Sequence, residues 1–505
     1  MSRVAVIGAG IAGLGASLAL ARKGHDVTVL ERDVPPPPAG ADEIPADRAF
    51  FDWNRKGAGQ FRHPHAFLGL LCNILQDNYP DLLDDFEAAG ARRVGMGEMI
   101  PPKMRAAYTP QPGDERLWIL MCRRATMETV LRAYAERQPT ITINSGQVVT
   151  GLLADTADGQ PVNVRGVQLG DEEALFDVVV EASGRTTKFP AWLKDRGADI
   201  AVEDEEAEMV YYTRHYKLNP GMEEPDPNSG KRQAGDLGYV KYGIFPGDNG
   251  HFATIMCAHP DEVMLRKAFN DEDAFHEMLM AIPGTADWVD PARSTPTTDS
   301  FGFADIRTTW RHYVHEAEDG TKTPVALNFF AVGDATLRTN PLYGRGCAIG
   351  MHHAHIMAQV LEDEADPAKR AILLDERTED ELRPIFDASQ NEDRNAIKRA
   401  RAIMAGKSVE KPDGLKAWFG LAFADAIAAA AQNQLHVVRG TLRTFQLEEK
   451  PGAFLKDKKI RSTIYKYMLR GRKKNASASI VEGPTRDEML SIIEGALGEV
   501  KAAAE

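Results

Sequence analysis

The stretch RVAVIGAGIAGLGASLALARKGHDVTVLER, residues 3 to 32, decides the fold. Val4 to Ile7 is a short apolar run that reads as a buried strand. Gly8, Gly10 and Gly13 follow in the spacing Gly-x-Gly-x-x-Gly. Ile11 to Arg22 is rich in alanine and leucine and reads as a helix, closed by Lys23-Gly24. Val27 to Leu30 is a second strand with Glu31 at its end. Gly8 makes the tight turn, Gly10 lets the backbone approach a pyrophosphate, and Gly13 lets the helix pack closely on the sheet. The helix N-terminus then offers free N–H groups to the phosphates. Glu31 lies 18 residues after Gly13, where a carboxylate accepts hydrogen bonds from a ribose. The acid favours an unphosphorylated ribose, hence FAD or NAD over NADP.

Three later segments bear on which dinucleotide. CRRATMETVLRAYAERQ, residues 122 to 138, puts Arg124 ahead of an amphipathic helix. FDVVVEASGRTTKFPAWL, residues 176 to 193, is an apolar strand ending at Ala182-Ser183-Gly184-Arg185. GDATLRTNPLYGRGCAIGMHHAH, residues 333 to 355, follows the buried-strand pattern ALNFFAV and spends Pro341, Gly344 and Gly346 before a helix-like stretch. A capped strand–loop–helix turn accounts for Asp334 but not for that clustering. No compact catalytic domain follows the first motif, as it would in an NAD dehydrogenase.

In this order, the four segments resemble the FAD-dependent monooxygenases of the para-hydroxybenzoate hydroxylase fold. GAGQFRHPHAFL, residues 57 to 68, is similar to a Gly-x-x-Gln-x-x-His-x-His segment of the branch holding squalene-epoxidase-like enzymes, polyketide epoxidases and flavin halogenases. The resemblance covers residues 1 to about 380. It implies an α/β fold: a Rossmann-like FAD-binding domain (1–75, 105–195 and 325–380) interleaved with a mixed β-sheet substrate domain (76–104 and 196–324), plus a helical C-terminal region (381–505). It implies FAD as cofactor, held by Gly8, Gly10, Gly13, Glu31, Arg124, Asp334, Pro341, Gly344 and Gly346. Asp334 would bind the ribityl chain and Arg124 would lie near the phosphates. Gly344 and Gly346 would clear the ring edge, and the helix beginning near Gly346 would aim its dipole at the reduced ring. The implied reaction is epoxidation or hydroxylation of an apolar alkene or aromatic compound through a flavin C4a-hydroperoxide. The same fold serves flavin-dependent reductases of isoprenoid double bonds, which is the alternative, with flavin-dependent halogenation ranked behind it.

The chain departs from the family in two places. The usual Asp-Gly pair is Ser183-Gly184, which puts direct NADPH reduction in doubt and leaves NAD(P)H or a partner flavin reductase as electron source. The Trp-x-Trp-x-Ile-Pro segment of the halogenases is absent: the tryptophans stand at 53, 118, 192, 288, 310 and 418, no two of them two apart. No catalytic residue is named, since epoxidation needs no dedicated base. Gln60, His65, Tyr211, His215 and Tyr242 are candidates for a substrate cavity, with core packing as the other reading. His63-Pro64-His65 completes no metal site. EMVYYTRHYKL, LGYVKYGIFPG and GHFATIMCAH read as strands with alternating aromatics that lie over the flavin.

The chain has 505 residues and a formal net charge of −14, which argues against nucleic acid as a partner; the resemblance implies a small lipophilic substrate. Four scattered cysteines fit a reduced, cytoplasmic setting. No signal peptide and no membrane-spanning run is expected. KDKKIRSTIYKYMLRGRKK, residues 456 to 474, is strongly basic within this acidic chain. It is either a solvated helical face or a peripheral contact with a membrane or partner surface.

Overall fold

The computed structural model describes residues 1–41, 43–407, 414–478 and 481–504. Its centre is a five-stranded parallel sheet in the order Phe329–Ala331, Val178–Glu181, Arg3–Ile7, Asp26–Glu31, Ile141–Ser145. The strands come from four widely separated parts of the chain, so the parallel sheet is interleaved with everything else. Val4, Val6, Val27, Val29 and Val180 are fully buried, as expected where both faces of a parallel sheet are covered. The helices Ile11–Arg22 and Gly346–Asp363 pack on one face of it. They approach closely because Gly15 and Gly350 carry no side chain: a Cβ at Gly15 would fall 2.6 Å from Met351 Sδ, and one at Gly350 would fall 3.2 Å from Ala12 Cβ.

The second large sheet joins Ala234–Asp236, Lys241–Pro246, His251–Ala258, Val210–Leu218 and Ser294–Pro296 in that order, with Phe301–Phe303 also on Val210–Leu218. A mixed sheet was the expectation for this region. Every pairing within the large sheet is antiparallel, because its long strands Lys241–Pro246 and His251–Ala258 form a hairpin. Its two faces differ in role. Tyr211, Ile255 and Cys257 pack with Phe245, Phe303 and Leu342, and Leu342 belongs to the Pro341–Gly346 loop. The other face carries Tyr216, Tyr242, Phe252 and Met256, covered by the helices Val263–Phe269, Glu272–Met280 and Pro283–Val289. The C-terminal helix Arg486–Ala504 adds Met489 and Ile493 to that cover, both fully buried.

The region after residue 366 is helical: Pro367–Met404, Leu415–Ala431, Leu435–Phe445, Lys458–Met468 and Arg486–Ala504. Pro367–Met404 starts on Asp366, whose carboxylate accepts from the N–H groups of Ala368 and Lys369. It runs unbroken across position 380, so the sequence boundary placed there falls within one helix. The cause is amphipathic periodicity: Leu374, Thr378, Leu382, Ile385, Phe386 and Ser389 form one buried stripe that reaches back to the parallel sheet. Leu435–Phe445 ties the remaining helices to the body through Val438 against Met96, Ile100 and Leu117, and through a buried Arg439–Asp114 ion pair at 2.8 Å.

Candidate cofactor site

The carboxyl ends of Arg3–Ile7, Asp26–Glu31, Val178–Glu181 and Phe329–Ala331 meet at one edge of the parallel sheet, where such folds bind ligands. Gly8 has φ +103°, and a Cβ there would sit 2.8 Å from the Ala182 carbonyl oxygen. A Cβ at Gly13 would strike the Gly8 carbonyl oxygen at 1.9 Å. At Gly10 an added Cβ would meet no protein atom within 4 Å, so the open side of the turn faces free space. The helix Ile11–Arg22 has no side-chain cap, which leaves its first N–H groups available to an anion.

Glu31 is buried and already engaged. Its Oε2 accepts from Ala9 N–H at 2.7 Å and from Arg55 Nη1 at 3.1 Å, and its Oε1 accepts from Asp33 N–H at 2.8 Å. The carboxylate therefore builds the turn. Arg55 is wholly buried among Glu31, Asp33 and Glu128, with its guanidinium over Trp53, and these carboxylates hold its charge in place. Glu128 also takes Arg124 Nε at 2.6 Å. The Arg124–Glu128 spacing is legible as an i, i+4 pair. Arg55 is not legible, since its partners lie 22 to 73 residues away.

The segment 333–346 lies directly beside this turn: a Cβ at Gly333 would fall 2.8 Å from Ala12 Cβ. Asp334 is half-buried, and no hydrogen bond to its carboxylate is formed by any described residue. Burial pushes its pKa up, against the positive charges of Arg338, Arg124, Arg185 and Arg311. Asn340 caps the single turn Pro341–Tyr343 by accepting from Leu342 N–H at 3.0 Å. Gly344 then takes φ +68°, a left-handed position that closes the turn. At Gly346 an added Cβ would meet nothing within 4 Å, and the helix Gly346–Asp363 begins there without a side-chain cap.

The long helix Pro367–Met404 holds this loop. Asp393 is buried and accepts from Asn340 Nδ2 (2.7 Å), Tyr343 OH (2.8 Å) and Thr308 Oγ1 (3.1 Å). Arg345 donates to Ser389 Oγ at 2.6 Å and to Glu392 at 2.8 Å. Sequence reading missed these anchors because they lie 44 to 53 residues beyond the loop, in a helix that looks merely charged.

The segment 57–68 crosses between the two sheets. His65 Nε2 accepts from Arg124 Nη1 at 3.1 Å while Nδ1 donates to the His63 carbonyl oxygen at 2.8 Å. His63 pairs with Thr213 Oγ1 at 2.8 Å and stands edge-on to Tyr211, centroids 4.8 Å apart. His215 Nε2 donates to the Arg62 carbonyl oxygen at 2.6 Å. His65, His215 and Arg124 line one cavity with Phe50, Phe61 and Phe245. Burial lowers the pKa of His63 and of His215 to about 3 and that of His65 well below the usual range, so all three are neutral. Gln60 is half-buried at the edge of this segment. Tyr242 does not join them. It points to the outer face of the antiparallel sheet, its OH donating to the Arg232 carbonyl oxygen at 3.1 Å, because it is one residue out of phase with Gly243 and Phe245 on the inner face. Among the described residues no cluster of His, Cys, Asp and Glu could hold a metal ion.

The site thus offers an open glycine turn at an uncapped helix N-terminus, a carboxylate at the end of the second strand, an unpartnered carboxylate at Asp334 and a second uncapped helix at a bare glycine. These residues fit FAD. Residues 3–42 match the profile of the family described as FAD dependent oxidoreductase. No curated protein matches the chain. The chain is similar to PqsL of Pseudomonas aeruginosa, described as "a probable FAD-dependent monooxygenase", at 16% identity and TM-score 0.56, covering 80% of this chain and 99% of that one. It is likewise similar to a flavoprotein/dehydrogenase from Cytophaga hutchinsonii at 14% identity and TM-score 0.56, covering 93% and 99%. At such identities the likeness is one of fold. The fold is the para-hydroxybenzoate hydroxylase type, and the FAD dependent oxidoreductase profile matches its N-terminal segment.

Proposed function

We propose that this chain is an FAD-dependent monooxygenase that epoxidises or hydroxylates an apolar alkene or aromatic substrate. The observation that carries the reading is the inner face of the antiparallel sheet. Tyr211, Phe303 and Phe245 lie against the loop at Pro341–Gly346, and the buried histidines beside them are neutral. Such an aromatic face binds apolar carbon and excludes water, while Arg185 over the Phe303 ring at 5.0 Å and Arg124 beside Phe245 mark its polar border. Bound FAD would supply the two-electron chemistry that activates dioxygen. The chain's own residues would orient and exclude. Asp334 would accept hydrogen bonds from the cofactor's polyol, and the helix starting at Gly346 would place its positive end toward developing negative charge on the ring. Electrons would come from NAD(P)H or from a partner flavin reductase.

The test is to reduce the holoprotein without oxygen, admit labelled dioxygen, and follow a panel of lipophilic alkenes and phenols. Label in the product is the expected outcome. Saturated product formed anaerobically, with no label, would reject this reading in favour of a double-bond reductase.

A further inference from the structure

Two C-terminal helices carry a surface that the cofactor site does not use. Segment 456–474 holds nine lysines and arginines against one aspartate, in a chain whose net charge is −14. Its helix Lys458–Met468 buries Ile460, Ile464 and Tyr467 against Ala426 and Ala429 of the helix Leu415–Ala431. Tyr465 and Leu469 are left on the outside, and Leu469 is 88% exposed. They stand at i and i+4 in one row that begins with Arg461, with Lys466 and Arg470 alongside, and Lys473 follows in the short helix Arg472–Asn475 after Gly471, all of them exposed. Arg472 Nε donates to Asp425 Oδ2 at 2.9 Å, which sets the end of the basic segment beside the middle of Leu415–Ala431. The first turns of that helix extend about 6 to 15 Å further along its axis. There Leu415 is 78% exposed and Phe419 55%, and Trp418 and Leu421 are exposed beside them. No helix is long and apolar enough to cross a membrane among the described residues.

We infer that these two helices form a docking surface for a bilayer rich in anionic lipid, with Trp418, Phe419 and Leu469 entering the interface and the surrounding lysines and arginines meeting the headgroups. The charge decides between occupants. A two-fold contact with a second copy would set this basic segment against itself. An anionic bilayer complements it, and long basic side chains can cover apolar surface while their heads stay at the polar boundary. Tryptophan and tyrosine are the residue types that settle at that boundary. The inference does not rest on the oxygenase reading, and it is read without turnover.

Trp418 supplies the probe, since the other five tryptophans are less exposed than it is. The full-length, FAD-loaded protein is titrated with vesicles of phosphatidylcholine alone and with about one quarter phosphatidylserine. Binding to the anionic vesicles is expected with a blue shift of the emission, weakening about tenfold or more between about 0.1 M and 0.5 M salt. The triple variant Lys466→Ser, Arg470→Ser, Lys473→Ser should lose about tenfold or more in affinity on anionic vesicles. Trp418→Ser with Phe419→Ser should lose the shift and most of the binding while keeping the flavin spectrum, because both residues lie on the exposed end of the helix. Equal binding to neutral and anionic vesicles, wild-type binding by the Trp418/Phe419 variant, or no binding at all would overturn the inference. So would a vesicle-free dimer that the same substitutions dissolve, which would assign the surface to a second copy.

Discussion

Asp334 is the residue at which binding and stability oppose each other. Its carboxylate is half-buried, no described side chain or backbone group donates to it, and burial raises its pKa despite four nearby arginines. Such a group costs the apoprotein and gains a partner only when the cofactor's hydroxyls arrive. Asp334→Asn should therefore weaken FAD by about 1.5–3 kcal/mol, the scale of hydrogen bonds to a charged acceptor, while the apoprotein unfolds at the same temperature or higher. FAD titration and thermal unfolding of the apoprotein read the two halves separately. Unchanged FAD affinity would remove Asp334 from the site. Glu31 permits no such separation, because it also holds Ala9, Asp33 and Arg55.

At the scale of elements, the loop 340–346 owes its shape to a helix that begins more than twenty residues after it ends. Asp393 gathers Asn340, Tyr343 and Thr308, and Arg345 is drawn toward Ser389 and Glu392 on the same helix. The two anchors should differ in weight. Asp393→Ala leaves three donors without their acceptor around a buried position, and should destabilise by at least about 2 kcal/mol and blur the flavin spectrum. Glu392→Ala removes an ion pair whose acid is 43% exposed, and should cost under about 1 kcal/mol with the spectrum unchanged. Denaturant unfolding alongside the visible spectrum compares them. Equal effects would mean that the loop holds its shape without Asp393.

The whole molecule has a pH dependence that starts from the centre of the parallel sheet. Glu181 is fully buried between the ends of Arg3–Ile7 and Phe329–Ala331, with Oε1 accepting from Ser183 N–H and Oγ and Oε2 without a partner. Burial raises its pKa from 4.5 to about 7. Below 4.5 the folded and unfolded chains both keep the proton. Between 4.5 and about 7 the unfolded chain releases it and the folded chain retains it, so stability falls as pH rises through that window. Above about 7 the folded chain has lost it too, and the fall ends. Glu181→Gln keeps an oxygen for Ser183 but has no proton to release. The stability of wild type relative to this variant should drop by on the order of 3 kcal/mol between pH 4.5 and pH 8. A pH-independent difference would show that the folded protein does not retain that proton.

The amino-acid sequence determined what depends on near neighbours. The strand–turn–helix at 3–32, the helix opening at Arg124 and the glycine turn at 341–346 follow from apolar periodicity and from positions where a Cβ would clash or be strained, and all are visible within about thirty residues. Alternation also placed Tyr211 and His215 on a strand, but it does not say which face looks inward, and so Tyr242 was grouped with them. That choice was left to the helices 263–289 and 486–504, which claim the outer face. Tertiary structure alone decided the burial of Arg55 among three carboxylates, the clamp of Asp393 on the loop, and the neutral state of His63 and His215. Each of these needs residues far apart in the chain to be brought out of water together, and the cost of removing charge from water is set by the whole fold.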